Sequence, residues 1–380
     1  MPARRALRNL PRGVYGRNPF PPPRTRGKAG AFMLPTKQRV LMLEAPRRVR
    51  FSERPLPGCR PGDVFVRSLY STFKHGTEMM AYFGRSPFAT RAFDQKLRLF
   101  GPVEKAQDFY PRPMGSMVVG AVLATGGKVQ DLQTGQLVFA WAPVADVHVL
   151  PADEVCPLGD LTAEQALCID PASFALGALI DGGIERSDSV LVTGLGAIGL
   201  FAVQYCKARG AAVFAASSFP ARRKLAEAYG AKEVYDPRSH ADPARHIKER
   251  TGGVHAAVEC SGSLVTLNLA IRASRQCGRV VCAGFYGPGD SSLNLGEEFF
   301  HNRITLLASL PALAWNNPVR GSRPLYAKDL QEMAARDFRE KRITPDGILN
   351  PVMPFHEAAR AVELIADEPE RVVKVLLKHA

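Results

Sequence analysis

SVLVTGLGAIGL, residues 189–200, joins an apolar run to a glycine-rich turn and then to the start of a helical pattern. The turn, Gly194 to Gly199, has the spacing G-x-G-x-x-G. Between a strand and a helix, the first glycine permits a tight bend, the second lets backbone approach a pyrophosphate, and the third lets the helix pack closely. The helix N-terminus adds N–H donors and a partial positive charge. The pattern therefore predicts a dinucleotide site at Gly194, Gly196, Ala197, Ile198 and Gly199.

Strand-like and helix-like segments alternate from this turn onward. Apolar runs at 211–217, 255–260 and 279–284 are separated by helical patterns at 197–210, 220–230 and 263–274. Continuous Val/Ala/Ile runs that alternate with helices are typical of a parallel sheet covered on both faces. We therefore predict a doubly wound α/β domain over residues 166–310.

The chain before this domain has a different pattern. Short β-like runs, among them RVLMLE (39–44), DVFVRSLY (63–70) and SMVVGAVLATG (116–126), are separated by prolines and glycines. Many short strands at this spacing predict a β-rich, barrel-like domain over residues 33–165. The pattern changes near residue 163, where AEQALCIDPASFALGALIDGG predicts a helix that ends at Gly182-Gly183.

Much of the net charge of +14 lies at the N-terminus. Residues 1–32 contain eight Lys or Arg, six prolines and no acidic residue, so they supply +8 of it. This composition predicts a disordered extension, with Met33 opening the folded protein; a targeting segment or an electrostatic tail are the alternatives. The remaining body is only mildly basic, which argues against nucleic acid as a partner.

Composition also indicates the cellular setting. The seven cysteines form no C-x-x-C pair, which favours a reducing, cytoplasmic environment. No apolar run reaches the roughly 18 residues that a membrane span needs, so no membrane association is expected.

The end of the second strand of the α/β domain indicates which cofactor is preferred. NAD-binding proteins place an acid about 20 residues after the glycine turn to bind the ribose hydroxyls. This sequence has Ser217-Ser218 followed by Arg222-Arg223, and no carboxylate nearby. Serine and guanidinium groups bind a 2′-phosphate, so Ser217, Ser218 and Arg222 predict NADP(H), with NAD(H) still possible.

Taken together, these segments resemble the medium-chain dehydrogenase/reductase family, the zinc-type alcohol dehydrogenase-like group. The similar stretches include PGDVFVRSLYSTFKHGTE (61–78), the glycine turn, HAAVECSGS (255–263), GRVVCAGFYG (278–287) and the closing FHEAARAVELI (355–365). The resemblance implies a Rossmann domain inserted in a GroES-like β-barrel catalytic domain, whose second segment would be residues 311–380. It also implies a homodimer and an active site between the domains.

Within the family the sequence is most similar to the bacteriochlorophyllide dehydrogenase branch, which oxidises a hydroxyethyl side chain to a ketone. The shared stretches are HGTEMMAYFGR (75–85), LVFAWAPVADVHVLPADEV (137–155) and LNLGEEFFHNRITLLAS (293–309). The resemblance predicts a secondary alcohol or ketone as the substrate.

The sequence departs from the family at the zinc ligands. Zinc-containing members read C-G-T/S-D where this chain has His75-Gly76-Thr77-Glu78, and G-H-E where it has Gly115-Ser116-Met117. The four-cysteine lobe of a structural zinc has no counterpart. Thiolate and imidazole groups dominate protein zinc sites, so the sequence predicts chemistry without zinc. A rebuilt site from His75, Asp170 and Glu78 is the alternative.

Without a metal, the protein must handle the alcohol proton itself. By resemblance, Thr77 matches the hydroxyl that binds the substrate oxygen and starts a proton relay. His75, at the vacated ligand position, can donate to an alkoxide or accept its proton, and Asp170 could orient it. The resemblance also implies cofactor contacts from two strand ends and from a basic residue near the C-terminus: Cys260, Ser261, Gly262, Gly284, Phe285 and Lys374.

Residues 85–113 form a longer connection than zinc-containing members have. The segment combines five aromatic residues with Arg91, Lys96 and Arg98. We expect either a lid suited to a bulky or anionic substrate or simply a packed loop. Two other functions remain open for the whole chain, namely an NADPH-dependent quinone or enoyl reductase and a non-catalytic protein that binds the cofactor.

Overall fold

The computed structural model describes residues 34–102, 109–287, 293–310 and 326–379. The chain divides into two compact units. Among the described residues, one unit comprises those between 168 and 348, and the other comprises those between 34 and 167 together with 349–379. The predicted N-terminal extension, residues 1–32, lies outside the described residues.

Before residue 163 the described chain folds mainly into strands, in agreement with the short apolar runs of its sequence. Its elements are β1 (Lys37–Ala45), β2 (Arg48–Pro55), β3 (Asp63–Thr72), α1 (His75–Tyr82), β4 (Arg91–Asp94), β5 (Leu99–Pro102), β6 (Arg112–Pro113), β7 (Met117–Thr125), β8 (Leu137–Ala140), β9 (Val147–Pro151) and β10 (Val155–Pro157).

From residue 163 onward strands and helices alternate. The elements are α2 (Ala163–Asp181), β11 (Ser189–Thr193), α3 (Ala197–Ala208), β12 (Ala212–Ala216), α4 (Pro220–Ala228), β13 (Glu233–Tyr235), α5 (Pro243–Thr251), β14 (Val254–Glu259), α6 (Leu264–Ala273), β15 (Ser274–Cys282), β16 (Thr305–Ala308), α7 (Ala327–Arg339), β17 (Leu349–Pro354), α8 (Ala358–Asp367) and β18 (Lys374–Lys378).

The strands β11 to β16 form one parallel sheet in the order β13-β12-β11-β14-β15-β16. The first strand lies in the middle, and the chain first builds outward on one side and then crosses to the other. Ligands of such sheets bind outside the carboxyl ends of the strands where the order reverses, here between β11 and β14. This sheet confirms the predicted doubly wound fold.

The other unit is built on a mostly antiparallel sheet. Its strand order is β10-β8-β7-β3-β18-β17, and β9 also pairs with β3. Strand β18 pairs antiparallel with β3, so the C-terminal segment completes a sheet begun more than 300 residues earlier. Its core includes Leu41, Phe73, Val362 and Leu377. A three-stranded sheet β2-β1-β6 and the hairpin β4-β5 complete the unit.

The unit with the parallel sheet extends to Ile348, beyond the predicted boundary at residue 310. Packing explains the difference, because α7 lies against α3 with the rings of Phe338 and Phe201 5.6 Å apart. The side chain of Gln204 also accepts from the Thr344 amide (2.7 Å) and donates to its carbonyl oxygen (3.0 Å). Residues 326–348 therefore belong with the parallel sheet, and the predicted segment 311–380 is divided.

Two histidines are buried in the mostly antiparallel unit. His148 on β9 is 4% exposed, and its Nε2 meets no hydrogen-bond partner among the described residues. His379 is also buried, with its Nε2 2.9 Å from the Ser71 hydroxyl. Burial lowers the pKa of His148 to about 4 and that of His379 to about 3. Both rings are therefore neutral in the folded protein at pH values where an unfolded chain binds protons.

The free energy of unfolding should fall as the pH is lowered from about 6.5 towards 4. In this range His148 and His379 bind protons in the unfolded state, whereas their buried rings in the folded state stay neutral. Each histidine contributes a slope of up to about 1.4 kcal/mol per pH unit. Chemical denaturation at several pH values measures it. His148→Phe should remove about half of this contribution, and His356→Gln, at an exposed ring, should leave it unchanged. Equal slopes in His148→Phe and the wild type would contradict the assignment.

Candidate active site

The three glycines of the turn between β11 and α3 have different surroundings. A Cβ atom on Gly194, whose φ is +77°, would lie 2.5 Å from the Ser261 nitrogen, and one on Gly199 would overlap the Gly194 carbonyl oxygen. A Cβ atom on Gly196 would meet no atom of the described chain within 4 Å. Close packing therefore requires two glycines, whereas the middle one leaves its backbone open to a ligand. Gly196 is also the N-cap of α3, so the unpaired amides of Ala197 and Ile198 begin beside it.

The turns that follow β14 and β15 pack against the same place. A Cβ atom on Gly262 would lie 2.6 Å from the Phe285 carbonyl oxygen, and one on Gly284 would lie 2.6 Å from the Gly262 Cα. The Cys260 amide donates to the Thr193 carbonyl oxygen at the end of β11 (2.9 Å). The structure thus brings Cys260, Ser261, Gly262, Gly284 and Phe285 together with Gly194, and their predicted contact with the cofactor stays a prediction.

Sequence reasoning missed Glu259, the last residue of β14. Its carboxylate is fully buried and accepts hydrogen bonds from the Ser261 amide (2.7 Å) and hydroxyl, the Gly262 amide (3.1 Å) and the Tyr286 hydroxyl (2.5 Å). Burial raises the pKa of this carboxyl, while the four donors act in the opposite direction. The signal in the sequence was an acid that ends an apolar strand, AAVE, directly before a small-residue turn.

A cleft of about 500 Å³ opens beside the ends of β11 and β12. Five of the predicted cofactor residues line it, together with Phe219 and an arginine that the sequence did not suggest, Arg238. The Arg222 guanidinium lies 4.4 Å from the centroid of the Phe219 ring. The predicted residues on its wall are Gly194, Ser217, Ser218, Arg222 and Ser261.

A carboxylate does lie beside Ser217, contrary to the sequence-based expectation. Strand β13 pairs with β12, and the Ser217 amide donates to the Tyr235 carbonyl oxygen (3.1 Å), which brings the next residue, Asp236, close to Ser217. Arg223 Nη1 (3.0 Å) and Arg238 Nε (3.2 Å) both contact this carboxylate. Hydrogen bonds from Arg238 and the two positive charges lower the pKa of Asp236 to about 2. The acid is therefore ionised but electrically compensated.

The arginines around the cleft have different roles. Arg223 is bound to Asp236 and to the Ser217 carbonyl oxygen (2.5 Å) and does not line the cleft. Arg272 lines the cleft, but it is held by both oxygens of Asp242 and by Glu298. Arg238 also lines the cleft and donates to Asp236 and to the Ser218 carbonyl oxygen, but it is largely exposed. Arg222 and Arg238 are therefore the arginines of the wall that are best placed for an anionic group.

In the other unit, α1 carries the predicted catalytic side chains. His75 is its first residue, and its Nε2 accepts a hydrogen bond from the Val375 amide (3.3 Å). Thr77 lies in the same first turn and is exposed to solvent. Glu78 is turned inward, where its two oxygens accept from the amides of Lys74 and Gly115.

Lys374 lies in the interior, at the start of β18. It is 4% exposed, and its Nζ donates to the Phe73 carbonyl oxygen (2.6 Å). Burial raises the pKa of Glu78, and the amide hydrogen bonds and the charges of Lys374 and Arg112 act against that rise. The ammonium group thus stabilises the chain around α1, and the predicted contact of Lys374 with a pyrophosphate stays a prediction.

Asp170 is buried in the middle of α2, where its carbonyl oxygen accepts from the Ser173 hydroxyl (2.8 Å). It belongs to the unit of residues 168–348, whereas His75 belongs to the other unit. Its predicted role in orienting His75 stays a prediction.

Around α1 the described side chains form no zinc donor set. Within the described ranges, no three His, Cys, Asp or Glu side chains cluster in a way that could hold a metal. His75 Nε2 and both oxygens of Glu78 accept from backbone amides. The rebuilt site from His75, Asp170 and Glu78 stays an alternative prediction, since Asp170 belongs to the other unit.

Part of the predicted lid, residues 85–113, forms the hairpin β4–β5, and residues 103–108 lie outside the described chain. The rings of Phe93 and Phe100 pack 5.0 Å apart, and the guanidinium of Arg98 lies 5.1 Å from the Phe93 ring. The hairpin therefore presents cations stacked on aromatic rings. No helix of the described chain is both long and apolar enough to cross a membrane.

Known dehydrogenases are similar to this chain. A family model described as "Zinc-binding dehydrogenase" matches residues 197–316. D-guloside 3-dehydrogenase of Escherichia coli (strain K12) is 27% identical over 349 residues, which is 88% of this chain and 98% of that protein. Over most of its length the chain is similar to zinc-type alcohol dehydrogenase-like proteins of the medium-chain dehydrogenase/reductase family. It is an NAD(P)-dependent oxidoreductase of the zinc-type alcohol dehydrogenase-like group, and the finer likeness to bacteriochlorophyllide dehydrogenases stays a prediction.

Solved structures share the fold of this dehydrogenase. 2R,3R-butanediol dehydrogenase from Bacillus subtilis superposes with a TM-score of 0.70 at 20% identity, covering 90% of this chain and 99% of that one. An alcohol dehydrogenase from Escherichia coli CFT073, complexed with NADH, gives 0.69 at 20% identity, covering 90% and 100%.

Substitutions of the turn glycines should separate binding from folding in this dehydrogenase. Gly196→Ala should fold with an unchanged melting temperature but bind NADPH and NADH at least about tenfold more weakly, because its methyl group points into open space that the phosphates need. Gly199→Ala should lower the melting temperature as well, since its methyl group would overlap backbone. Calorimetry and thermal melts measure both effects. Wild-type affinity in Gly196→Ala would contradict the site.

Proposed function

We propose that this dehydrogenase interconverts a secondary alcohol and a ketone, with NADP(H) as the preferred cofactor and without a catalytic zinc. The observation that carries the proposal is the open backbone at Gly196 between two tightly packed glycines, at the point where the strand order of the parallel sheet reverses. A nicotinamide bound there supplies the hydride donor or acceptor. The relative named D-guloside 3-dehydrogenase supports dehydrogenation of an alcohol.

The parallel-sheet unit binds and orients the cofactor. The backbone at Gly196 and the first amides of α3 hold the pyrophosphate, where the helix N-terminus is partly positive. The turns at Ser261–Gly262 and Gly284–Phe285 hold the nicotinamide half, because they lie on the other side of β11 from the cleft end formed by Ser217 and Ser218.

The preference for NADP(H) follows from the charges at Ser217. Asp236, the carboxylate that would bind a free ribose, is compensated by Arg223 and Arg238. A 2′-phosphate entering this part of the cleft meets hydroxyl groups and the guanidinium groups of Arg222 and Arg238, which bind phosphate through charge-assisted hydrogen bonds.

The α1 unit handles the proton. The exposed hydroxyl of Thr77 binds the substrate oxygen and passes its proton on. The amide of Val375 donates to Nε2 of His75, so a neutral ring carries its hydrogen on Nδ1, which is then the donor towards a developing alkoxide. The N-terminus of α1 adds a partial positive charge beside both residues.

Two features bear on the substrate. The side chains that would replace the zinc ligands are engaged in backbone hydrogen bonds, so the substrate oxygen is polarised by hydrogen-bond donors rather than by a Lewis acid. The arginines and rings of β4–β5 suit a bulky or anionic substrate. Assembly as a cytoplasmic homodimer, which the sequence suggested, stays part of the proposal.

Discrimination between the two cofactors tests the role of the arginines. Arg222→Gln and Arg238→Gln should each raise the KM for NADPH about tenfold or more and change the KM for NADH less than about twofold, because only NADPH carries the extra phosphate. Arg250→Gln is the matched control, since this exposed arginine bonds Glu233 and does not line the cleft. An equal effect on the KM values of both cofactors would show that these arginines do not bind the 2′-phosphate.

A panel of ketones, quinones and enones tests the reaction. NADPH should be oxidised with ketones, and Thr77→Val should lower kcat about 100-fold while Thr77→Ser retains most of it, because the relay needs a hydroxyl. Cofactor affinity should not change in either variant. Prolonged dialysis against a chelator should leave the rate unchanged. Reduction of enones or quinones alone, or a stoichiometric zinc whose removal abolishes activity, would refute the proposed chemistry.

A further inference from the structure

Glu259 collects six hydrogen bonds from two separate turns. Its carboxylate accepts from the amide and hydroxyl of Ser261, the amide of Gly262 and the hydroxyl of Tyr286. Its carbonyl oxygen accepts from the amides of Ala283 (2.8 Å) and Gly284 (3.0 Å). Half of these donors belong to the turn after β14 and half to the segment after β15.

The chemistry of the carboxylate explains why a glutamate stands here. Two carboxylate oxygens offer about four acceptor positions, which matches the four donors around the side chain. An amide side chain has one acceptor oxygen, so in either orientation two of the donors would face an NH₂ group. A buried charge is costly unless its hydrogen bonds are made, and here each oxygen of Glu259 receives two of them.

The two turns that Glu259 joins are also in direct contact. Strands β14 and β15 pair in the register Glu259 with Cys282, which places both turns at the same edge of the sheet. A Cβ atom on Gly284 would lie 3.0 Å from Glu259 Oε2 as well as against Gly262, so no side chain fits between them. A movement of one turn is therefore transmitted to the other.

We propose that Glu259 is a positioning residue for the nicotinamide half of the cofactor, because its carboxylate ties the turn after β14 to the turn after β15. The two turns then present one fixed surface to the ring rather than two independent ones. This inference rests on the proposed function and deepens it: Glu259 touches neither cofactor nor substrate and acts through Ser261, Gly262 and Tyr286.

Calorimetry with two ligands tests the positioning role. NADPH and 2′-phospho-ADP-ribose differ only in the nicotinamide. Glu259→Gln should weaken NADPH binding about tenfold or more and 2′-phospho-ADP-ribose binding less than about twofold. Tyr286→Phe should act in the same direction to a smaller extent, and it decides the question if Glu259→Gln does not fold. Glu233→Gln, an acid on the edge strand β13, is the matched control.

Hydrogen exchange on the cofactor-free protein tests the coupling. In Glu259→Gln the amides of Ser261, Gly262, Ala283 and Gly284 should lose protection together. Loss at one turn alone, or equal weakening of both ligands, would overturn the inference. If the wild type binds neither NADPH nor NADH, the proposed function fails and the cofactor role of Glu259 fails with it. Wild-type binding with an unchanged ligand ratio in Glu259→Gln overturns the inference alone.

Discussion

Backbone-to-backbone contact among three turns governs the nucleotide-binding unit. The turns follow β11, β14 and β15, which are neighbours in the parallel sheet, and at Gly194, Gly262 and Gly284 a single added carbon would collide with the adjoining turn. Glycine is required there because the chains approach too closely for any side chain, and two of the three positions also have a positive φ. The backbone at Gly196 is open to a ligand, whereas Gly194 and Gly199 on either side of it are tightly packed. The open position therefore results from how the turns pack at this edge of the sheet.

Charges around this edge are balanced locally. Asp236 is held by two arginines, Arg272 by two acids, and Glu259 by neutral donors alone. Burial raises the pKa of Glu259, and the N–H and O–H donors around its carboxyl act against that rise. Arg222 and Arg238 lie at the other end, near Ser217. This position of the positive charge is what the proposed preference for a cofactor with a 2′-phosphate on its adenosine end requires.

The sequence predicted what depends on neighbours along the chain. The glycine turn and the alternation of strands and helices were found because their signals are short-range, whereas the residues after β14 and β15 were suggested by the family resemblance. Asp236 was missed because it reaches Ser217 only through the pairing of β13 with β12, nearly 20 residues apart. Helix α7 was assigned to the wrong domain because its polar sequence shows little of the contact between Phe338 and Phe201 that attaches it to α3. Glu259 was missed because hydrogen bonds from two turns give an acid no distinctive local pattern.

The proposed chemistry without zinc has one requirement, which is compensation of the negative charge that develops on the substrate oxygen. The start of α1 can meet it with groups already in place, namely the partly positive N-terminus of the helix and an imidazole whose Nε2 accepts from the Val375 amide. The carboxylate of Glu78 is turned inward and accepts from the amides of Lys74 and Gly115. These hydrogen bonds limit its repulsion of the negative charge on the substrate oxygen. A reductase of C=C bonds would have no use for an exposed hydroxyl in this turn, whereas a carbinol proton needs one. Thr77 is therefore the residue that distinguishes the two reactions, because interconversion of an alcohol and a ketone needs its hydroxyl and reduction of a C=C bond does not.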